Sequence, residues 1–527
     1  MGEIRRLIFD KFDGSGGWWA NGSGQINSGI VALLTGMRPV ADGAGAALVP
    51  AQRNTATAGV PLDTRSFAVQ YNGGVYFSAG SKLYKMTATA NLFTGYADQT
   101  FPGGTITDMV VHDSLIYICN GGGNIRTYDG TTFVDVTATL GGANLSNNVG
   151  SYNGVLFWRG GTADTLNWRV IATPANYSRI LGAGNIRRIL GAAGSLWVGC
   201  QGGLFRLRGT LKAGNPTTLP GKLDIFEPDI VQVLVTDFNL PSGFSDQNFS
   251  YMQAAHGYLW FWANGRVYRV SISEAGGPGR PEVEPQPIYG KLRGMAICDG
   301  LVVVCVDSGG FRYLWAWELG RGWWLINSGG NTSTNWNAPF SGLAVAKDAA
   351  VCALQSNELN LARFPLDNSY LMGRNSNTFA LVDASQQGFI DLPALGPDDL
   401  GRGGSNPVKT ARPLRLTAVW GIPFNLTDGP DFTNYITGGS SAGAITFEFW
   451  ISTNAGASWV MLGTYAPPTY NDFSNGRNVW EIPAALGEAI ALGGNQPGFW
   501  QFRLSVVGPY APVVKRIILD VEIERLK

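Results

Sequence analysis

A hairpin pattern that recurs along the first 350 residues constrains the fold of this chain more than any other feature. In its clearest copy, residues 256–270 read HGYLWFWANGRVYRV. The aromatic and apolar run from Tyr258 to Trp262 is typical of a buried strand, and a return strand begins at Arg266. Asn264 and Gly265 between them predict a tight hairpin turn, because both residue types tolerate the positive φ that such a turn needs.

Similar hairpins occur at seven places, and their spacing is regular. With the first apolar residue after each turn as the reference, subtraction of residue numbers gives steps of 40, 40, 41, 63, 42 and 49 residues. A repeat of about 40–45 residues with several strands in each copy is typical of a β-propeller. The pattern predicts an all-β fold with a propeller of about seven blades over residues 61–375. The reference residues are Val75, Leu115, Val155, Leu196, Leu259, Leu301 and Ala350.

Composition agrees with this interpretation and narrows the function. The 527 residues include 72 Gly and 17 Trp, while charged residues make up 14%, against about 25% in ordinary globular proteins. The 38 basic residues balance 38 acidic ones, so no overall field attracts nucleic acid or an anionic membrane. The N-terminus lacks the pattern of a secretory signal, and Asp299 interrupts the best apolar run. We therefore expect a soluble protein made in the cytoplasm, without a membrane span.

Residues 1–60 do not fit the repeat and predict an N-terminal arm that includes a possible closing strand. Trp18 and Trp19 lie in a Gly-rich stretch that cannot form a core of its own. Either the arm docks onto another surface, or these tryptophans pack on the C-terminal domain of their own chain. Both alternatives remain open at this point.

The long step in the repeat predicts an insertion at about residues 209–245 in the fourth unit. Long loops in compact domains are usually functional or disordered. This one carries apolar residues that need cover from water, so we expect it to contact a neighbouring subunit or the lumen of a ring. Those candidate assembly residues are Ile230, Val231, Val233, Leu234 and Val235.

The hairpin repeat does not continue into residues 376–527. The candidate strands there predict a separate β-sandwich. Its last candidate strand, 516–523, alternates between apolar and charged residues. Left at a sheet edge, this strand would invite aggregation. Near the N-terminus, Ile4, Leu7, Ile8 and Phe9 form an apolar cluster without a partner of its own. We expect the two termini to pair with each other; the alternative is that the first strand completes a propeller sheet near residues 360–370.

One short motif lies inside the predicted sandwich. Residues 452–459 read STNAGASW, which fits the Asp-box pattern Ser-x-Asp-x-Gly-x-x-Trp with Asn454 in place of Asp. In sialidases and related propellers this pattern forms a hairpin in which the polar side chain caps the turn and Trp459 would pack beneath. A single copy outside the repeats indicates a hairpin and not a catalytic site.

Residues able to carry catalytic chemistry are few. The repeat assigns His112 and His256 to one equivalent position, just before the first strand, which makes them turn residues. The five cysteines form no Cys-x-x-Cys pair, which indicates buried free thiols and not a zinc site or disulfide framework. We predict no catalytic residues, no cofactor and no metal, and therefore no enzyme. The pairs of carboxylates that a glycosidase would need, scattered in sequence, stay a formal alternative.

The layout resembles the tail nozzle, or tail hub, proteins of short-tailed bacteriophages. The matching features are the hairpins at Tyr71, Tyr152, His256 and Cys298, the 452–459 turn, and the terminal stretch VKRIILDVEIE. The resemblance implies a propeller followed by a β-sandwich. It also implies a homo-oligomeric ring, a hexamer, below the portal and adaptor proteins of a virion. Such a ring conducts and gates DNA during ejection and docks fibre proteins.

Two other functions remain compatible with the sequence. One is a different phage tail protein, such as a receptor-binding or tail-tip component. The other is a carbohydrate-binding or sialidase-like propeller, for which repeated Asp-boxes and an arginine cluster on one propeller face would be the distinguishing features. Neither feature is visible in the sequence.

Overall fold

The chain folds as an all-β protein, and no helix occurs among the residues that a computed structural model describes. None of the described elements is therefore a helix suited to crossing a membrane. The described residues are 3–12, 31–39, 45–49, 52–55, 67–89, 92–121, 123–141, 147–161, 164–170, 176–182, 184–192, 194–201, 203–208, 227–231, 248–263, 265–272, 282–283, 290–298, 300–308, 311–327, 340–345, 350–355, 360–365, 387–395, 408–421, 446–454, 458–465, 479–485, 500–507 and 513–525.

Most strands are short, although the two longest have 14 and 13 residues. In chain order they are β1 Glu3–Phe9, β2 Leu33–Thr35, β3 Met37–Pro39, β4 Ala46–Leu48, β5 Gln52–Thr55, β6 Ala68–Tyr71, β7 Gly74–Ala79, β8 Lys82–Thr89, β9 Leu92–Thr100, β10 Ile106–His112, β11 Leu115–Asn120, β12 Ile125–Tyr128, β13 Phe133–Asp135, β14 Val149–Tyr152, β15 Val155–Arg159, β16 Thr165–Val170, β17 Asn176–Ile180, β18 Ile186–Ala192, β19 Ser195–Cys200, β20 Gly203–Arg208, β21 Glu227–Val231, β22 Met252–Ala255, β23 Tyr258–Ala263, β24 Arg266–Ser271, β25 Glu282–Val283, β26 Lys291–Cys298, β27 Leu301–Ser308, β28 Phe311–Glu318, β29 Gly322–Asn327, β30 Phe340–Val345, β31 Ala350–Gln355, β32 Asn360–Pro365, β33 Gln387–Asp391, β34 Val408–Gly421, β35 Thr446–Ser452, β36 Val460–Tyr465, β37 Val479–Ala485, β38 Gln501–Val507 and β39 Val513–Arg525.

The chain divides into two compact units whose segments alternate in sequence. Unit 1 contains residues 1–53, 314–337 and 364–527, and unit 2 contains residues 54–313 and 338–363. The chain therefore crosses from one unit to the other at 53/54, 313/314, 337/338 and 363/364. The predicted division at residues 60 and 375 places the stretch 314–337 with the repeats, whereas contacts place it in unit 1.

Unit 2 is a series of small antiparallel sheets, which is the organisation of a β-propeller. Five of them are four-stranded meanders: sheet I is β6–β9, sheet II is β10–β13, sheet III is β14–β17, sheet IV is β18–β21 and sheet V is β22–β25. Sheet VI begins with the antiparallel pair β26 and β27. Sheet VII has the order β30, β31, β32, β5. Each reference residue of the sequence repeat lies in the second strand of a different one of these sheets.

Tight turns join the first two strands of these sheets. The backbone has positive φ at Asn72 (45°) and Asn153 (47°), and at Asp113 (45°) with its neighbour Ser114 (59°). A two-residue hairpin turn of the type that matches strand twist needs positive φ at both central positions, and Asn, Asp and Gly adopt it at least cost. The local sequence thus sets the turn, and the apolar runs on either side supply the strands.

Apolar side chains fill the space between consecutive sheets. Sheets III and IV share a core that includes Phe157 and Val198, and sheets IV and V share one that includes Trp197 and Phe261. The inner strands β14 and β18 approach each other closely, since a Cβ added to Gly191 would collide with the Ser151 carbonyl oxygen. Close packing of this kind explains why Gly stands near the end of β18, where a side chain would not fit. The contacts run from each sheet to the next, and β30 of sheet VII also lies against β6 and β7 of sheet I.

Unit 1 is built on two longer sheets. In the first, the strand order is β3, β4, β39, β34, β37, and β1 also pairs with β39. In the second, β28 pairs with β29, β29 runs parallel to β2, and the order continues through β33, β38, β35 and β36. Strand β39 buries Ile517, Leu519 and Val521 on one face, as its alternating sequence predicts.

The predicted pairing of the two termini is confirmed. Strand β1 runs antiparallel to β39, with Glu3 opposite Ile523 and Phe9 opposite Ile517. Arg6 lies opposite Asp520 and binds it at 2.8 Å, while Arg415 of β34 binds the same carboxylate at 3.0 Å. A different N-terminal strand, β5, joins sheet VII. The N-terminal region therefore supplies both the partner of the last strand and the closing strand of a propeller sheet.

The interpretation of residues 209–245 as an insertion is wrong for part of its length. Residues 227–231 form β21, the fourth strand of sheet IV, and pair with β20. Ile230 lies opposite Phe205 and Val231 opposite Leu204. The prolines near the apolar run 230–235 make its sequence look like that of a loop. Its first two residues nevertheless belong to the fourth strand of sheet IV.

Candidate binding cavity

A cavity of about 210 Å³ lies where the first strands of several unit 2 sheets converge. Sheet I contributes Phe67 and Gln70, sheet IV contributes Arg188, and sheet V contributes Tyr251. Met295 of sheet VI completes the wall. Sheets far apart in sequence therefore meet at this point, which places the cavity among the inner strands. It combines apolar and aromatic side chains with the polar side chains of Gln70, Arg188 and Gln253.

A buried ion pair lies beside the cavity. Asp108 of β10 is fully buried and binds Arg188 of β18, whose side chain is 15% exposed. The same carboxylate accepts hydrogen bonds from the backbone N–H groups of Met109 at 2.8 Å and Val149 at 3.2 Å. Burial raises the pKa of Asp108, although Arg188 and the two N–H groups act in the opposite direction. Asp108 thus connects sheets II, III and IV at one point.

A repeated irregularity in the inner strands brings these charged groups to that point. The pairing register shifts between Ile106 and Asp108 in β10, and at the same place, between Ile186 and Arg188, in β18. A third shift lies between Leu292 and Gly294 in β26. A β-bulge re-aims the side chains that follow it. Asp108 and Arg188 are therefore equivalent residues of two sheets that the bulges direct toward each other.

Aromatic rings close the space beside the ion pair. The Arg188 guanidinium lies 5.4 Å from the centre of the Phe67 ring, at a distance typical of cation–π contacts. Phe67 also stacks on Tyr251 with ring centres 6.1 Å apart. The Tyr251 hydroxyl donates a hydrogen bond to the Arg293 carbonyl at 3.0 Å. Side chains from sheets I, IV and V thus pack together beside the cavity.

Polar side chains at the hairpin turns link neighbouring sheets. The Tyr71 hydroxyl of sheet I donates to the carbonyl of Ser114 in the turn of sheet II, at 2.8 Å. His112 of sheet II meets the Ser151 hydroxyl of sheet III through Nδ1 at 2.8 Å. His256 of sheet V contacts the Gly300 carbonyl in the turn of sheet VI. Burial lowers the pKa of His112, although the negative charge of Asp113 acts to raise it. The lowered pKa favours the neutral imidazole ring.

The two histidines do not occupy the same position, contrary to the sequence interpretation. His112 is the last residue of β10, as Tyr71 is of β6, whereas His256 lies inside the turn with φ of 54°. His256 is thus equivalent to Asn72 and Asn153. Both histidines nevertheless contact the next sheet, and each therefore links two neighbouring sheets.

Four of the five cysteines match their prediction. Cys119, Cys200, Cys298 and Cys305 are buried thiols. Burial raises the pKa of the Cys200 thiol to about 12, so it stays protonated. Among the described residues, no group of three or more His, Cys, Asp or Glu side chains is placed to hold a metal ion.

The Asp-box-like motif of unit 1 forms the predicted hairpin. Asn454 Oδ1 accepts the Ser458 N–H at 2.9 Å, and Asn454 Nδ2 donates to the Ser458 hydroxyl at 2.8 Å. Trp459 packs against Arg503, whose guanidinium lies 4.0 Å from the ring centre. Arg503 also binds Asp391 at 2.5 Å. The amide therefore caps the turn as the carboxylate of an Asp-box would.

The predicted assembly residues are only partly within the described chain. Trp18 and Trp19 lie outside it, as do Val233, Leu234 and Val235. Ile230 and Val231 lie in β21 at the outer side of sheet IV. The sequence pattern does not single out Asp108, Arg188 or Phe67. A signal exists in the charged residues within the otherwise largely apolar strands β10 and β18, but only the fold connects positions 108 and 188.

Comparison with known proteins gives structural likeness alone. No family model matches the chain, and no curated protein does. A streptogramin B lyase structure is 12% identical with a TM-score of 0.43, over 60% of this chain and 98% of that one. The WD40 repeats of RRP9 are 10% identical with a TM-score of 0.41, over 61% and 100%. The N-terminal domain of Nup159 is 11% identical with a TM-score of 0.38, over 60% and 95%. At these values the likeness bears on neither activity nor partners.

Proposed function

We propose that this protein is a structural component of a virion, the tail nozzle or hub of a short-tailed bacteriophage. Its copies form a homo-oligomeric ring, a hexamer, that conducts and gates DNA during ejection and docks fibre proteins. In this proposal unit 2 is a seven-bladed propeller, supported by the order in which sheets I to VII contact one another. The C-terminal strands form a β-sandwich, and the ring sits below portal and adaptor proteins.

The observation that carries the proposal is the way strands far apart in the chain complete one another's sheets. Strand β1 pairs along its whole length with β39, and β5 supplies the fourth strand of sheet VII. Strands held by partners far away in the chain resist fraying, which suits a part that must hold its shape while DNA under pressure passes through it. Soluble enzymes with propeller folds also close their sheets, so the pairing of β1 with β39 is the more telling feature.

The DNA path in this proposal is the lumen of the ring and not the axis of a single propeller. The inner strands of unit 2 leave a cavity of about 210 Å³, far too small for a duplex whose major groove alone is about 12 Å wide. Phe67, Arg188 and Tyr251 fill the neighbouring space. In this proposal the channel for DNA forms between copies. The formal net charge of +0 suits a channel through which DNA slides without binding tightly.

Electron microscopy and native mass spectrometry of the purified protein test the proposal directly. We expect closed rings with a central opening and a mass that is a whole multiple of the 56.3 kDa chain. Isolated particles at every concentration would contradict it and would favour a receptor-binding or tail-tip protein. In a ring, Trp18, Trp19 and the apolar residues at 230–235 remain the predicted assembly contacts.

A carbohydrate-binding propeller is the second candidate, and the cavity beside Arg188 is the observation that favours it. Arg188, Gln70 and Tyr251 place one cation, one amide and one ring at a pocket of suitable size for a sugar unit. The Asp108 carboxylate already neutralises Arg188, which weakens its use for an acidic sugar. Binding to a glycan array that Arg188→Gln abolishes, with the fold retained, would support this function over the first.

A further inference from the structure

Strand β36 is an unusually unprotected edge. It ends the strand order of its sheet, and no strand pairs with its outer side among the residues that the structure describes. Natural proteins guard such edges with charged residues, proline or bulges, because the free N–H and C=O groups otherwise attract a further strand. The sequence VMLGTY of β36 contains neither a charge nor a proline. Its one guarding feature is a bulge at Leu462.

Two other end strands of unit 1 contain protecting residues. β37 contains Glu481 and Pro483, and β3 contains Arg38 and Pro39. β36 has no residue of either kind. Its first two residues are exposed although they point to opposite faces of the sheet, with Val460 at 65% and Met461 at 50%. This corner of the sheet is open to solvent on both faces.

A second open edge in the same unit carries charges as well as exposed apolar side chains. β1 pairs with β39 on one side only, within the described part of the chain. Ile4 and Ile8 are 67% and 41% exposed and lie on one face of the strand, since they are separated by an even number of residues. β1 spans seven residues and β36 spans six, so the two edges have nearly equal length.

The charges of β1 are balanced before any partner arrives. Arg5 lies 3.4 Å from Glu3, and Arg6 binds Asp520 at 2.8 Å. An uncharged strand can therefore dock beside β1 without leaving a charge unpaired. A two-fold pairing of β1 with itself, centred on the strand, would set Arg6 opposite Arg6, which is unfavourable. The open edge of β1 thus fits β36 better than a second β1.

We propose that β36 of one copy pairs edge to edge with β1 of the next copy, and that this contact joins the subunits of the ring. The inference rests on the proposed function, whose ring it explains. Because the two strands are different surfaces of one chain, the contact is head-to-tail, and such a contact closes into a ring when its rotation allows. The backbone hydrogen bonds of an added strand supply affinity, and the exposed apolar side chains add burial.

Two blocked variants test the contact. In the first, Ile4→Lys and Ile8→Lys place charges on β1; in the second, Val460→Lys and Met461→Lys place charges on β36. All four side chains are exposed, so the fold tolerates the changes. Ile180→Lys is the matched control, because Ile180 is 69% exposed on an outer strand of sheet III. Native mass spectrometry reports the assembly state of each.

The expected result is specific to a head-to-tail contact. The wild type and the Ile180→Lys control form rings, and each blocked variant alone is a monomer. An equimolar mixture of the two blocked variants forms a dimer and nothing larger, because it contains one intact β36 and one intact β1 that can meet. That dimer also proves that both variants are folded.

Other outcomes overturn the inference, and they separate it from the proposed function. Rings formed by both blocked variants would defeat the edge contact and leave the ring proposal standing. A dimer of the β1-blocked variant by itself would show that β36 pairs with β36. A monomeric wild type at all concentrations would overturn the ring and the contact together.

Discussion

At the scale of single residues, the Asp108 carboxylate connects three sheets of unit 2. Its carboxylate is fully buried and binds Arg188, Met109 N–H and Val149 N–H. We predict that Asp108→Ala lowers the free energy of unfolding by about 3–5 kcal/mol, the usual cost of removing one partner of a buried pair. Guanidinium denaturation at neutral pH measures this change.

The matched comparison is Glu3→Ala, which removes an exposed ion pair with Arg5 at 3.4 Å. A pair of this kind contributes at most about 1 kcal/mol. The double variant Asp108→Ala/Arg188→Met removes both charges and is expected to be less destabilised than Asp108→Ala alone. Equal losses in Asp108→Ala and Glu3→Ala would show that the buried pair has no special role.

A substitution of His256 tests whether the backbone conformation of its turn, and not a property of the imidazole ring, accounts for this residue. It lies in a hairpin turn at φ 54°, a conformation that Asn adopts readily and a β-branched residue does not. We predict that His256→Val lowers the free energy of unfolding by about 1–2 kcal/mol more than His256→Asn. Thermal unfolding of the two variants decides the point. Equal stability would mean that the contact with Gly300, and not the backbone, explains the residue.

At the scale of elements, the strands that can be predicted are those whose sequence carries its own signal. The turn residues Asn72 and Asn153 indicate hairpins, and the alternation along β39 indicates a buried face, from the amino-acid pattern alone. β5 has the sequence QRNT, with no apolar pattern, so nothing in it indicates a place in sheet VII. The bulges before Asp108 and Arg188 shift the alternation by one residue, and for that reason the pattern does not predict the ion pair at the inner strands.

The pairing of β1 with β39 predicts a local response to deletion. Removing residues 1–12 uncovers the edge of β39, and we expect faster deuterium exchange in the stretch 516–523. Residues 360–365 should keep their protection, because β5 and not β1 closes sheet VII. Exchange confined to 360–365 would contradict the observed pairing.

The same strand pair should depend on pH through Asp520. Hydrogen bonds from Arg6, and then from Arg415, hold the pKa of this carboxyl below its usual 3.8. A depressed folded-state pKa means that the contribution to stability is complete above the unfolded value and is lost as the pH falls through the folded one. We predict that exchange of residues 3–9, corrected for its intrinsic rate, accelerates below pH 4. Asp520→Asn should remove that pH dependence; an unchanged profile would show that Arg6 and Asp520 do not hold β1.

At the scale of the whole molecule, the alternation of the two units decides which fragments can fold. Unit 1 takes residues from three separate parts of the chain. The change of composition after residue 375 predicts a contiguous domain there, and that boundary differs from the observed one. Composition reports the local character of a stretch, whereas strand partners far away in sequence leave no trace in it. The N-terminal strands β1, β2 and β4 are partners of this kind.

This arrangement yields a prediction about the fragment 376–527. Expressed alone, it lacks β1 and β4 beside β39 and β2 beside β33. Ile517 and Leu519 of β39 are fully buried in the intact chain. Without the N-terminal strands, the long strand that carries them has a free edge, and such edges promote association. We expect the fragment to aggregate and to show no cooperative thermal transition. Co-expression of residues 1–53 should restore solubility and a cooperative transition. A scrambled 1–53 segment should restore neither. Circular dichroism and size-exclusion chromatography provide the measurements. A monomeric fragment that unfolds cooperatively by itself would show that residues 376–527 are a domain in their own right, and that the N-terminal strands only decorate it.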